Sequence, residues 1–409
     1  MEPHTPPVSS APILPNMSLD IDVIQVALRE DSLDGWLLYD FHGSNPIARR
    51  ITGLESAAKL TTRRWYYLIP ADGLPQKLVH VIEQDRLDHL PGDKTLYAEY
   101  GELESCLRSL VKGHSNVAME YSPNCANPYI SRVDAGTVDA VRALGVSVSS
   151  SGDLVQRFEA TWDEAALTTH ESAARALYRI KDQAFDLVEQ RTRHGIPLTE
   201  IEVQDAMVGW FGDEGLVSDS RPVVAAQENA GDPHYLPTRE RNRAIGTNEL
   251  LLLDLWGKAK APGAVYADIT WMGYTGTTVP PQYARAFDII RRGRDTAVTL
   301  VQTAVAERRQ LMGWEVDRAT RGHITEAGLG DQFIHRTGHN LGQEVHGNGV
   351  HLDDFETHDE RRLLPGTGVT IEPGVYFENF GLRTEINLYV GLERATVTGP
   401  QQHEIRPLG

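Results

Sequence analysis

The chain has 409 residues, a formal net charge of −18, and 41% hydrophobic and 23% charged residues. That composition is globular rather than disordered, and the length admits two domains with ordinary cores. The negative balance, with no basic cluster to interrupt it, excludes a surface built for nucleic acid.

Residues 1–18 start Pro- and Ser-rich, without the basic start and apolar core of a secretory signal, and read as a flexible tail. No apolar run approaches the roughly 18 residues of a membrane span, so no membrane partner is expected. Cys106 and Cys125 stand outside any metal-type spacing, and free thiols in a reducing cytoplasm are the expectation. From 19 to 157, short apolar strands alternate with helical segments as in an α/β domain. Strands are expected at 35–39, 65–69, 78–82 and 117–119, and helices at 21–29 and 103–111. This domain shows no phosphate loop or dinucleotide fingerprint, and His42, Arg49, Arg50 and His80 receive surface or hydrogen-bonding roles. A second domain, 158–409, opens with a long amphipathic helix from 164 to about 190. Thr199 and Glu202 follow, spaced as a capping box.

Within the second domain the sequence repeats itself weakly. Lys181-Asp182, Ala184 and Leu187-Val188 recur as Arg294-Asp295, Ala297 and Leu300-Val301. At the same offset Glu202-Val203, Ala206, Gly209, Asp213 and Gly215-Leu216 recur as Glu315-Val316, Ala319, Gly322, Glu326 and Gly328-Leu329. A register kept through two helices and the following glycine points to a duplication, two αβ halves about an approximate two-fold axis. Asp254 and Glu372 then fall at nearly equivalent places on strands, each followed after a turn by a second acid, Asp268 and Glu385. His234 corresponds in the same way to His346. A ligand pocket between such halves is the natural expectation.

Asp254 sits in Leu250-Leu251-Leu252-Leu253-Asp254-Leu255-Trp256, a run that reads as buried on both faces. One arginine would neutralise one such carboxylate, and that is the ordinary explanation for a single buried acid. Four carboxylates with His339 are harder to satisfy with arginines, whereas two divalent cations would compensate them all. Oxygen ligands with one imidazole suit Mn²⁺, Co²⁺, Fe²⁺ or Zn²⁺, and the lack of thiolates tells against structural zinc. Two such ions would acidify a water between them from about 15.7 towards about 7. The glycines at 338, 342 and 347 disfavour a helix through His339 and His346, so this is not a His-Glu-x-x-His zinc helix. His234 and His346 are read as proton-passing or oxyanion-steadying groups. For His335 a structural role competes evenly with substrate contact.

These residues resemble the pita-bread metallopeptidases, the family of methionine aminopeptidase, Xaa-Pro aminopeptidase, prolidase and the metal-free creatinase. The resemblance runs from 164 onward. It is carried by Pro233-His234-Tyr235, Leu253-Asp254, Tyr266-Ala267-Asp268-Ile269-Thr270, Gly338-His339 with His346, Glu372-Pro373-Gly374, and Arg383-Thr384-Glu385. It implies an α+β protein, a C-terminal pita-bread fold of duplicated halves behind an N-terminal creatinase-like α/β domain. It also implies that Asp254 and Asp268 hold one metal and His339 and Glu372 the other, Asp268 and Glu385 bridging, with Glu372 as proton acceptor. His234 and His346 are similar to the substrate-contacting histidines of the Xaa-Pro branch; His335, Tyr376 and Arg383 are candidate substrate contacts. Arg383 is the candidate to capture a dipeptide carboxylate. All five ligand positions are filled, unlike in creatinase.

The departures lie beside the ligands. The interval from Asp254 to Asp268 is about three residues longer than usual, Trp271 replaces a common arginine, Gly347-Asn348-Gly349 follows His346, and Ile386-Asn387 follows Glu385. The expected activity is hydrolysis of an Xaa-Pro bond by a metal-bridging hydroxide at two divalent ions, manganese first, cobalt or zinc as alternatives. An Xaa-Pro dipeptidase acting as a homodimer on proline-containing dipeptides is the leading expectation. An aminopeptidase on longer peptides, a non-hydrolytic binding protein on the same fold, and a phosphoester hydrolase are the rivals.

Overall fold

The computed structural model describes residues 19–54 and 61–409, so the expected tail, 1–18, lies outside the described residues. These residues form two compact units. One takes residues up to 120 together with 132–149 and 261–263; the other takes 121–131, 150–260 and 264–409.

The first unit is built on a six-stranded mixed sheet. Its order is Asp93–Tyr97, Gln76–His80, Trp65–Pro70, Gly35–Asp40, Asn116–Met119, Ser147–Ser150. Gly35–Asp40 and Trp65–Pro70 are buried along their whole length, as continuous apolar runs in the middle of a covered sheet should be. Ile21–Glu30 lays Ile24, Ala27 and Leu28 towards the core, the i, i+3, i+4 face of an amphipathic helix. The helix expected at 103–111 begins earlier, at Tyr100, because Glu99 and Glu102 form a capping box. The strand expected through 82 stops at His80. There the His80 ring accepts the Ile82 N–H at 3.1 Å and caps a short 3-10 turn, Val81–Glu83, which takes Val81 and Ile82 out to solvent.

The second unit runs through the same order of elements twice. Glu164–Arg193 and Glu200–Asp213 precede the antiparallel pair Leu250–Ala259 and Ala267–Tyr274. Pro281–Ala306 and Gly313–Glu326 precede the antiparallel pair Thr367–Ile371 and Ile386–Val390. Each half has its own core: Phe185, Val203, Leu251 and Leu253 in the first, Val301, Val316, Val369 and Leu388 in the second. Burying each such side chain is worth about 1.5–3 kcal/mol, so the helices are held to their sheets far more by these faces than by helix propensity. The Asp163 carboxylate caps the first long helix on the Ala166 N–H at 2.7 Å, and Thr199 with Glu202 forms the capping box that the spacing predicts. Trp162 is fixed by a hydrogen bond from its indole to the Leu341 carbonyl at 3.1 Å, and its ring lies over Gly368. A Cβ there would come within 2.0 Å of that ring, so only glycine fits.

Candidate metal centre

The first antiparallel pair sets two acids on one face. Asp254 stands opposite Thr270, and Asp268 stands opposite Trp256, in one unbroken ladder. Because side chains alternate with period two, residues 254, 256, 268 and 270 share a face. The second pair is different. Its ladder ends at Ile371 opposite Ile386, and a separate hairpin, Gly374–Phe377 with Phe380–Arg383, continues beyond the gap. Glu372 and Glu385 sit in that gap, just past the strand end rather than on the strand, because Pro373 has no N–H to extend the ladder. The two pairs meet at Thr270: its carbonyl accepts the Glu385 N–H at 3.2 Å, and its hydroxyl donates to the Glu385 carboxylate at 2.7 Å.

His339 enters from a third segment. Gly338 lies so close to the Thr370 carbonyl that a Cβ would come within 2.1 Å of it, which brings His339 against the second sheet. There the His339 N–H donates to the Thr370 hydroxyl at 2.9 Å. Its Nδ1 lies 3.2 Å from the Asn340 carbonyl, which can only accept, so Nδ1 carries the proton and Nε2 presents a lone pair. That lone pair faces the Glu372 and Asp268 carboxylates at 3.4 and 3.7 Å. Asp268, His339 and Glu385, all buried, offer ligand atoms that lie within 4.8 Å of one another.

The electrostatics of this set are those of buried acids crowding one another. Burial, then Glu385, Asp254 and Glu372, pushes Asp268 well above the usual carboxylate range. Burial, then Glu372 and Asp254, does the same to Glu385. Glu372 is pushed up by burial to about 7, against the pull of Arg383 and Arg336. Burial, then His346 and Arg336, drives His339 well below the usual imidazole range. Asp254 alone of the four carboxylates has an arginine, Arg383; among the described residues the others have none. The Asp268 Oδ1 is buried with no hydrogen-bond partner. Buried carboxylates that raise one another's proton affinity, set around an imidazole lone pair and short of arginine, are the donor chemistry of a hard or borderline divalent ion, so the residues fit the group.

The remaining predicted residues distribute around this cluster. Tyr376 donates to the His335 Nε2 at 2.9 Å and accepts from Arg383 at 3.1 Å. Arg383 also donates to the Thr270 hydroxyl at 3.0 Å and to Asp254, so all three of its nitrogens are engaged within the protein. Burial and Arg383 lower the His335 ring to about 3, and it stays neutral. His346 is exposed and meets the His339 ring edge-on, centroids 4.3 Å apart. His234 is exposed on a turn where its N–H donates to Asp232. Thr270, Arg336, Tyr129 and His351 were given no role by sequence reasoning. Thr270 was already inside a quoted motif and carried a signal, its place directly across a ladder from an acid; Tyr129 comes from 207 positions before Arg336 and carried none.

A family model for metallopeptidase family M24 matches residues 172–391, more than half of the chain. The chain belongs to metallopeptidase family M24. A probable dipeptidase, PepE, of Mycobacterium bovis is 25% identical over 265 residues, 64% of each chain. The Xaa-Pro dipeptidase of Lactobacillus delbrueckii subsp. lactis is 30% identical over 212 residues, 50% of this chain and 51% of that one. The chain thus spans just under two thirds of the first of these relatives and about half of the second. Over the whole fold, the crystal structure of dipeptidase PepE from Mycobacterium ulcerans superposes with a TM-score of 0.65 at 20% identity, covering 95% of this chain and 96% of that one. The pita-bread architecture of family M24 is therefore the architecture of this chain. No helix among its described residues is long and apolar enough to cross a membrane.

Proposed function

We propose that the chain is an Xaa-Pro dipeptidase working with two divalent cations held by Asp254, Asp268, His339, Glu372 and Glu385. The observation that carries the reading is three carboxylates without an arginine, gathered around one free imidazole lone pair. When bound, the cations supply charge compensation, an acidified water and a polarised carbonyl. An Xaa-Pro bond is a tertiary amide without an N–H, and this chemistry does not need that donor.

The chain's own residues take the other roles. Glu372, whose carboxylate is partly open, accepts the proton that the nucleophile gives up. Thr270 fixes one Glu385 oxygen and leaves the other free to coordinate. The Arg383 guanidinium orients Asp254 and the Tyr376 hydroxyl together. His346 and His234, open to solvent, are read as steadying the developing oxyanion and passing a proton to the leaving proline nitrogen. Free Cys106 and Cys125 support a reducing, cytoplasmic setting, whereas manganese and a homodimer rest on the family resemblance alone.

The test is a reconstitution series. Metal-stripped protein receives Mn²⁺, Co²⁺ or Zn²⁺ and is assayed on Ala-Pro and Ala-Pro-Pro-Ala, with Glu372→Ala as control. Metal-dependent cleavage of Ala-Pro, lost in the control, is the expected result. Cleavage of the tetrapeptide alone would make the protein an aminopeptidase, and no metal-dependent cleavage of either would remove the hydrolytic reading.

A further inference from the structure

Among the described residues four arginines are buried: Arg294, Arg336, Arg361 and Arg383. Three are matched by a carboxylate, Arg294 by Asp295 at 2.8 Å, Arg361 by Asp359 at 2.5 Å, and Arg383 by Asp254. Arg336 is not. Its guanidinium makes one hydrogen bond, from Nη1 to the Tyr129 hydroxyl at 3.0 Å, and among the described residues it forms no ion pair. Glu372 and Glu356 act on this guanidinium only from beyond ion-pair distance, so a largely buried cation is left with no carboxylate in contact, a place where a ligand can bring the charge.

The backbone around it is tightly held. The Arg336 N–H donates to Glu356 at 3.0 Å, its carbonyl accepts from the His335 ring at 2.7 Å, and the next N–H, of Thr337, donates to Asp317 at 3.0 Å. The side chain therefore leaves from a rigid point, three residues ahead of His339, and its charge bears on Glu372, His335 and His339. A second unmatched donor borders the same tyrosine. The His351 Nδ1 accepts the Asn340 N–H at 3.1 Å, so its proton is on Nε2, and that nitrogen is buried with no partner. The His351 ring meets Tyr129 edge-on, centroids 4.6 Å apart.

We propose that Arg336, steadied by Tyr129 and with the His351 Nε2–H as a second donor, receives the free carboxylate of the proline residue in the substrate. This deepens the Xaa-Pro reading above and rests on it. The planar fork of a guanidinium matches the two oxygens of a carboxylate, and it finds no such partner in an amide or in a peptide that continues past proline. It thus selects dipeptides. Arg383, with every nitrogen engaged, leaves that task to Arg336.

The test compares Ala-Pro with Ala-Pro amide on manganese-loaded full-length protein, wild type against Arg336→Gln, Arg336→Lys and Tyr129→Phe. The wild type is expected to favour the free acid in kcat/KM by about 100-fold, the order of a charged hydrogen-bonded pair. Arg336→Gln brings the ratio close to one, chiefly through KM for the acid; Arg336→Lys restores part of it; Tyr129→Phe lowers it to about tenfold. A ratio unchanged in Arg336→Gln, or a wild type that handles both substrates alike, overturns the proposal. Tyr129→Phe leaves the arginine in place and decides the matter if Arg336→Gln fails to fold. In parallel, calorimetry on metal-free protein is expected to show N-acetyl-L-proline binding, its amide not binding, and the acid signal lost in Arg336→Gln. If neither dipeptide is cleaved while that signal persists, the peptidase reading falls and the carboxylate subsite stands. If Ala-Pro is cleaved with no dependence on Arg336, the subsite falls and the peptidase reading stands.

Discussion

The two antiparallel pairs that supply the acids descend from the same repeated plan but hold their carboxylates by opposite means. In the first, Asp254 and Asp268 are ordinary members of an unbroken ladder running from Leu250 opposite Tyr274 to Gly257 opposite Ala267. In the second, Glu372 and Glu385 occupy a break, with Pro373 and Thr384 between two separate ladders. A ladder fixes a side chain by register and allows it no travel. A break frees a longer side chain to reach across, provided neighbouring contacts hold its backbone. Those contacts are the Glu372 N–H to the Thr337 carbonyl at 2.8 Å and the Glu385 N–H to the Thr270 carbonyl at 3.2 Å. Short acids on the ladder and long acids at the break follow from that geometry.

The largest effect should come from breaking the ladder side at its centre. Asp268→Asn removes a carboxylate that Glu385, Asp254 and Glu372 all crowd, and with it a proposed metal ligand. Hydrolysis should fall at least about a thousandfold, the several kcal/mol that metal charge stabilisation supplies, and metal content by mass spectrometry should fall with it. Retained metal and activity would show that the break side suffices alone.

A smaller effect tests how the turn of the first pair is anchored. The His170 Nδ1 lies 2.7 Å from the Tyr266 carbonyl, next to the strand bearing Asp268, and its Nε2 lies 2.7 Å from the Thr398 hydroxyl. Burial lowers this ring from 6.5 to about 4, so the folded state resists the proton that the unfolded chain accepts. Its contribution is full above pH 6.5, declines as pH falls from about 6.5 to about 4, and is constant below. The total loss is about 3 kcal/mol by linkage. Urea unfolding at pH 7 and pH 4.5 should show a loss that shrinks in His170→Asn.

The smallest expected effect lies on the break side. Gly338→Ala drives a methyl group into the Thr370 carbonyl, backbone against backbone, and should cost about 1–3 kcal/mol, or several degrees in melting temperature. Because the Thr370 hydroxyl also accepts the His339 N–H, metal affinity should fall in the same variant, whereas an alanine at the half-buried helical Gly322, where a Cβ meets nothing, should leave metal affinity unchanged and raise the melting temperature slightly. Equal behaviour of the two variants would mean that the close approach does not position His339.

Much of this was legible from residue spacing. The duplication placed Asp254 against Glu372 and Asp268 against Glu385, because a repeated helix-helix-strand unit must bury the same faces twice. The capping box at Thr199 and Glu202 was legible because it is local chemistry within one turn. What escaped were facts that only the folded chain creates. That the Arg336 guanidinium has no contact ion pair among the described residues, that Arg383 is fully engaged, and that Tyr129 stands beside His351 all depend on pairings across long separations, which no local pattern encodes. The strand that stops at His80 escaped for a different reason: Val81 and Ile82 are good strand formers, and a single imidazole cap outweighs that preference.

The order of the acids along the chain divides the cluster between the two halves. Asp254 and Asp268 leave the ribosome well before His339, Glu372 and Glu385, and on their own they form half a cage. The first half has an apolar core of its own, Phe185, Leu251 and Leu253 among it, whereas the crowding of Asp268 comes largely from Glu385 and Glu372 of the second. A cation held jointly by Asp268, His339 and Glu385 would tie the two halves to each other, and removing it should loosen their junction before either apolar core.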